Sequence, residues 1–340
     1  MNSTTALRRR SAACTLGLVA MILFAAPLRG QDAPPLSRPT AAEAAESVAL
    51  SFDGLVEGLD YRVYDRSGAP ATVDDLVAAA APTEVLLVGE EHDDMVGHAI
   101  EVEILESVAD AVDTSAPGRT VVLSLEMFER DVQYIVDEYL DDFITEDHFL
   151  RSARPWDDYT ARYRPLVESA RTRGIPVVAA NAPRRYVSRV TRLGPESLAS
   201  LPPEALAYLP PLPYPGPSPL YRQQWDAIME QAMAGMQAEA GGRGYAVNPN
   251  TIWSQALWDA SMGHAVSQAL VRHVGGLVVH FAGSFHVEKG TGILERILDY
   301  RPGSRVLTVV MTKVDDVEAW SHEDHGPLAD FVILTKRPEA

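Results

Sequence analysis

Four side chains carry the chemistry this sequence could perform: Glu90, His92, Glu126 and His286. Two imidazoles with one or two carboxylates suffice to ligate zinc, manganese or iron with coordination positions left open; His92, Glu126 and His286 are the expected metal ligands in that case. The same groups can act without an ion. A histidine polarised by a carboxylate takes a proton from water, while a second imidazole stabilises the charge that develops. Each histidine closes a Gly-x-x-His stretch, Gly89 to His92 and Gly283 to His286. Glycine at those places is expected to let the backbone turn sharply and to leave room for a ligand.

Three apolar runs must hold these groups. Val85 to Val88 stops at Gly89-Glu90, Val121 to Leu125 stops at Glu126, and Leu277 to Ala282 stops at Gly283. Continuous runs of this kind, flanked by helical pattern, predict strands buried on both faces of a parallel sheet. Open α/β sheets place their chemistry at the carboxyl ends of such strands. A further strand over Ile175 to Asn181 brings Asn181 and Arg184 to the same crevice. These could bind a carboxylate or propionate, or Arg184 could pair with Glu126. Gln255 and Asp259 are four residues apart and share one helix face, either a solvated stripe or one turned to the crevice. His98 lies off the helical face of His92 and is expected at the surface. His280, inside a strand, is expected as a hydrogen-bonded core histidine.

The alternation of strands and helices implies right-handed crossovers. The fold class is therefore α/β with a mostly parallel central sheet. The alternation breaks after Gly194. Leu201 to Leu220 holds eight prolines, which a regular helix or central strand cannot accommodate. Residues 196–248 read as an inserted, mainly helical, proline-rich lid. Residues 56–195 and 249–340 then form the α/β domain.

The 340 residues carry a net charge of −18, which argues against nucleic acid or anionic lipid as partners. Arg8-Arg9-Arg10 precedes an uncharged segment with an apolar centre from Leu16 to Ala26. Residues 1–30 read as an export signal and 31–55 as a linker, giving a periplasmic or envelope-associated protein. Membrane contact is then expected only through the N-terminal segment. The single cysteine, Cys14, falls inside that signal, so no disulfide or thiolate chemistry is expected.

Gly89-Glu90-Glu91-His92, Leu125-Glu126-Met127-Phe128 with Asp131 and Gln133, Ala180-Asn181-Ala182-Pro183-Arg184, Gln255-x-x-x-Asp259-x-x-Met262 and Gly283-Ser284-Phe285-His286 occur in order along the chain. In this order they resemble the ChaN-type haem-binding uptake family, itself similar to the wider Tiki, TraB/PrgY and erythromycin-esterase superfamily. The resemblance spans roughly residues 84–336. It implies an αβα domain with a helical lid, and haem binding or iron handling in the bacterial envelope. The implied ligand set is a tyrosine of the lid, Tyr208, Tyr214, Tyr221 or Tyr245, assisted by histidine, with Asn181, Arg184, Gln255 and Asp259 lining the cofactor. The wider superfamily implies the alternative: a hydrolase, with or without a divalent metal, in which Glu90, His92, Glu126 and His286 are catalytic. A haem or small-molecule partner is expected in either case, and a homodimer is compatible with both.

Overall fold

The computed structural model describes residues 51–116, 118–239 and 248–338. The expected export segment, most of the linker and Tyr245 lie outside the described residues.

Eight strands form one mixed sheet in the order β2-β1-β8-β7-β3-β6-β4-β5. Their ranges are β1 Tyr61–Asp65, β2 Pro70–Ala71, β3 Val85–Glu90, β4 Val121–Glu129, β5 Val177–Asn181, β6 Leu277–Gly283, β7 Val306–Val314 and β8 Phe331–Lys336. From β8 through β5 every neighbouring pair is parallel, and β1 adds antiparallel to β8. The three strands that carry the candidate residues are adjacent. Strand β6 lies between β3 and β4, with Glu90 opposite Gly283 and Leu125 opposite Phe281. Being parallel, the three end at the same edge of the sheet.

Side chains along these strands alternate between two buried layers, as the pleat requires. Leu86, Val88, Leu123, Leu125, Val279 and Phe281 point to one core. There they meet helix α2 (Met95–Ser115) through Ile100, Ile104 and Val108, and helix α6 (Arg164–Arg173) through Leu166, Val167 and Ala170. Val85, Leu87, Val122 and Val278 point to the other. That layer is built from helix α10 (Thr251–Arg272) and helix α11 (Ile293–Tyr300). Leu86 has no exposed surface. Its truncation to alanine would cost about 2–5 kcal/mol, transfer plus cavity.

Local signals explain the helix starts. Thr72 and Asp75 form a reciprocal capping box on helix α1 (Val73–Ala80). Helix α2 begins at Met95, capped by the Asp94 carboxylate, three residues later than His92. The segment after β4 splits into a single 3-10 turn, Arg130–Val132, and helix α3 (Gln133–Leu140). Gln133 lies against the outer edge of β5. Its Nε2 donates to the Val177 carbonyl and its Oε1 accepts from the Ala179 N–H, at 2.8 and 2.7 Å.

The proline-rich insertion is packed rather than loose. Leu198, Leu209 and Tyr214 form a cluster with Val187 and Val190 of helix α7 (Arg184–Leu193) and with Ala256 and Leu257 of α10. Helix α9 (Pro219–Glu239) then lays Tyr221, Trp225 and Met229 on Ile252 and Phe285. Phe285 immediately follows the carboxyl end of β6, so α9 covers the edge where the candidate residues lie. No described helix is long and apolar enough to cross a membrane.

Candidate functional site

Two carboxylate–imidazole pairs flank Glu126. In the first, His92 Nδ1 lies 2.5 Å from Glu90 Oε1, which also accepts from the Tyr163 hydroxyl at 3.1 Å. In the second, His286 Nδ1 lies 2.7 Å from Asp259 Oδ1. His286 Nε2 faces Glu126 Oε1 at 3.9 Å, and Glu126 Oε2 accepts from the Gly283 N–H at 2.8 Å. The structure thus brings Glu90, His92, Glu126, Asp259 and His286 together, with both histidines held through Nδ1. A carboxylate on one ring nitrogen fixes the orientation of the other, the arrangement that supports ligating and proton-transferring histidines alike.

Electrostatics follows from this pairing. Burial alone would lower the His92 imidazole, but the Glu90 carboxylate overrides it and raises the pKa to about 9. Burial likewise opposes and Asp259 reverses the shift at His286, whose pKa is raised. Glu90, which burial would raise, is held below the ordinary carboxylate range by His92. His280 behaves differently. Its Nδ1 bonds the Ser124 hydroxyl at 2.8 Å, and burial pushes its pKa down to about 3, so it is a neutral core histidine.

The glycines act through space rather than through turn freedom, since neither Gly89 nor Gly283 has a positive φ. A Cβ on Gly89 would lie 2.9 Å from the Ser284 Cα. One on Gly283 would lie 3.0 Å from His92 Cε1. Each glycine therefore lets one Gly-x-x-His turn close onto the other.

The remaining expected residues are dispersed. Gln255 and Asp259 are buried, so their face is turned inward and is not a solvated stripe. Arg184 makes no ion pair with Glu126. It is exposed, and its guanidinium stands 6.0 Å from the centre of the Trp156 ring. Neighbouring Arg185 instead takes the Asp131 carboxylate at 2.5 Å. Asn181 Oδ1 accepts from the Ala182 N–H and shapes the turn into α7. The Tyr214 hydroxyl donates to the Trp253 carbonyl, within the lid packing. Tyr208 is 36% exposed and lies near Arg185. Tyr221 is buried, and its hydroxyl, raised by burial and then by the Asp259 charge, lies beside that carboxylate without a well-formed hydrogen bond among the described residues.

Three contributors were not anticipated. Trp156 meets His92 edge-on, ring centroids 5.0 Å apart at 89°, and Tyr163 supports Glu90. Both come from the connection between β4 and β5, where no spacing singles them out. His98, expected at the surface, is buried. Its Nε2 donates to the His92 carbonyl at 3.1 Å and its Nδ1 meets Glu101 Oε2 at 3.0 Å. The His98-x-x-Glu101 spacing, one helical turn, was the available signal. Among the described residues, the acid and histidine group close enough to share an ion is Glu90, His98 and Glu101, not the expected His92, Glu126 and His286.

A family profile described as haem-binding uptake, Tiki superfamily, ChaN matches residues 76–297. The chain belongs to the ChaN family. A search of curated proteins finds no match. Among solved structures, one described as cofacial heme binding to ChaN of Campylobacter jejuni is similar, with 17% identity and a TM-score of 0.60, over 83% of this chain and 100% of that one. At that identity the likeness concerns the fold. The type III effector HopBA1 (15% identity, TM-score 0.40, 78% of this chain and 94% of that one) and a Bacillus cereus protein (10% identity, TM-score 0.39, 78% and 92%) are more distant. The ChaN match takes in Glu90, His92, Glu126, Asp259 and His286.

Proposed function

We propose that this ChaN-family protein binds haem at the outer rim of the Glu126 cluster. The observation that carries the reading is the line His92–Trp156–Arg184. An imidazole with its Nδ1 already held, a flat indole and an exposed guanidinium without a carboxylate partner among the described residues lie side by side. His92 is 17% exposed at its side chain, against 6% for His286, and so is the more accessible imidazole. His92 would hold the iron, Trp156 would pack on the macrocycle, and Arg184 would take a propionate. Bound there, haem would supply an iron centre whose properties the axial ligand and its hydrogen bonds set. The similar Campylobacter jejuni protein is described as binding haem cofacially.

Titration with hemin tests this. Saturable binding with a shifted Soret band is expected, lost in His92→Ala and weakened about tenfold in Arg184→Ala, the loss of one charge-assisted contact. Absence of saturable binding to the wild type removes the proposal.

A second reading, hydrolysis of an ester or amide, is supported by a different observation. His286 turns its Nε2 toward Glu126 Oε1 at 3.9 Å, and His92 Nε2 borders the same Gly283 whose N–H donates to Glu126, a geometry suited to activating water, alone or on a divalent metal. Metal analysis and a Glu126→Gln activity screen separate it from the first, because Glu126→Gln should leave hemin binding at His92 largely intact. The basic and apolar pattern of residues 1–30 supports export to the envelope. N-terminal sequencing of protein from that compartment checks this: a chain still starting at Met1 would contradict cleavage.

A further inference from the structure

A second constellation lies away from Glu126, in the layer of α10 and α11. Arg130 follows directly on β4, and its Nη1 donates to His264 Nδ1 on α10 at 3.0 Å. The His264 ring meets the Tyr300 ring at the end of α11, centroids 5.2 Å apart at 61°. Arg272 comes from the last turn of α10, about two turns beyond His264. The Tyr300 hydroxyl is buried and has no hydrogen-bond partner among the described residues.

The charge balance here is uneven. Among the described residues neither Arg130 nor Arg272 has an ion-pair partner, although the chain carries 47 acids against 29 Lys and Arg. Burial, and then Arg272, pulls the Arg130 guanidinium down to about 10. Burial, then Arg130 and Arg272, hold the His264 imidazole down to about 4. Because Nδ1 accepts from Arg130, the neutral ring carries its proton on Nε2. Asp299, the acid facing Tyr300, is held by Arg296 at 3.0 Å and is not available to the arginines.

We propose that Arg130, Arg272, His264 and Tyr300 form a binding site for a small tetrahedral oxyanion of the phosphate class. What the cluster presents are donors: guanidinium N–H groups, the His264 Nε2–H and the Tyr300 O–H. Such a set suits a dianion whose oxygens act mainly as acceptors, and the guanidinium fork matches phosphate geometry. Arg272 is exposed and gives access from solvent. The net charge of −18 disfavours a large polyanion, so the ligand is a free small anion rather than nucleic acid or an anionic membrane.

Calorimetric titration of the full chain with inorganic phosphate, at ionic strength held constant with sodium chloride, tests the site. Saturable binding at one site is expected, competed by sulfate and weakened about tenfold by Arg130→Gln and by Arg272→Gln. Phosphate should also raise the pH at which the His264 ring titrates by NMR, as its charge offsets the two arginines. Hemin binding should be unchanged in Arg272→Gln, which separates this site from the haem reading. If Arg130→Gln fails to fold, Arg272→Gln decides alone, being a surface change. No saturable binding of phosphate, binding that Arg272→Gln leaves untouched, or binding only to phosphatidic acid vesicles would each overturn the proposal.

Discussion

Glu101→Gln should change how stability depends on pH without disturbing the fold. His98 Nε2 donates to the His92 carbonyl, so one proton is left to sit between His98 Nδ1 and Glu101 Oε2. Burial favours the neutral imidazole, but the Glu101 charge prevails and raises His98 to about 9. Burial raises Glu101 to about 7, against the lowering effect of His98. Both groups bind protons more tightly folded than unfolded. Their contribution is therefore fully present below the unfolded values and is lost as pH rises through the folded ones. For His98 the window runs from 6.5 to about 9. At 1.36 kcal/mol per pH unit the upper limit is about 3 kcal/mol, and sharing the proton with Glu101 reduces it to roughly 1–2 kcal/mol. In Glu101→Gln the amide N–H donates to a neutral His98 Nδ1, and that loss disappears. Urea denaturation at pH 6.5 and at pH 9 measures it, with His92 contributing equally to both proteins. Wild type should lose roughly 1–2 kcal/mol more than the variant across this interval. Parallel losses would refute the shared-proton account.

Three further outcomes are expected. Gly89→Ala should destabilise by about 1–3 kcal/mol in thermal unfolding, because its Cβ would meet the Ser284 Cα at 2.9 Å, backbone that cannot swing aside. Asp259→Asn should lower the pH at which His286 titrates by NMR, since Asp259 is what opposes the effect of burial there; an unchanged titration would mean that Glu126 alone sustains it. Tyr221→Phe should leave stability within about 1 kcal/mol of wild type, as its buried hydroxyl makes no well-formed hydrogen bond among the described residues, while its effect on hemin affinity reports whether this tyrosine ligates iron.

The strands that carry the site were legible because each is a mainly apolar run, interrupted only by Ser124 and His280, that stops at a glycine or a carboxylate. Val85–Glu90, Val121–Glu129 and Leu277–Gly283 all lie where the pattern places them. Their adjacency was not legible. Insertion of β6 between β3 and β4 depends on how α10 packs across the sheet, and no run of residues encodes that locally. His98 was misplaced for a geometric reason. Counting helical phase from His92 puts it off the face, but the turn before Asp94 resets the phase, and the first helical turn folds His98 back onto the His92 carbonyl. Arg184 and Arg185 differ by one position, yet only the structure reveals that Arg185 shares the Asp131 carboxylate with Arg154, while Arg184 stands over Trp156 with no carboxylate partner among the described residues. The proline count correctly excluded a central strand or a long helix across Leu201 to Leu220, where the structure has only the short helix Pro203–Leu206 before Pro219 opens α9, but it could not foresee that Leu198, Leu209 and Tyr214 would build a core of their own.

The Gln133 side chain has a consequence for how copies of this chain can meet. By engaging one carbonyl and one N–H of β5, it stands in for a single residue of a ninth strand. The outermost parallel strand is thus shielded from recruiting a neighbour's backbone. Association through that margin would first have to expel the amide, so any stable self-assembly is steered toward other surfaces, and Gln133→Ala should make the protein more prone to aggregate on heating.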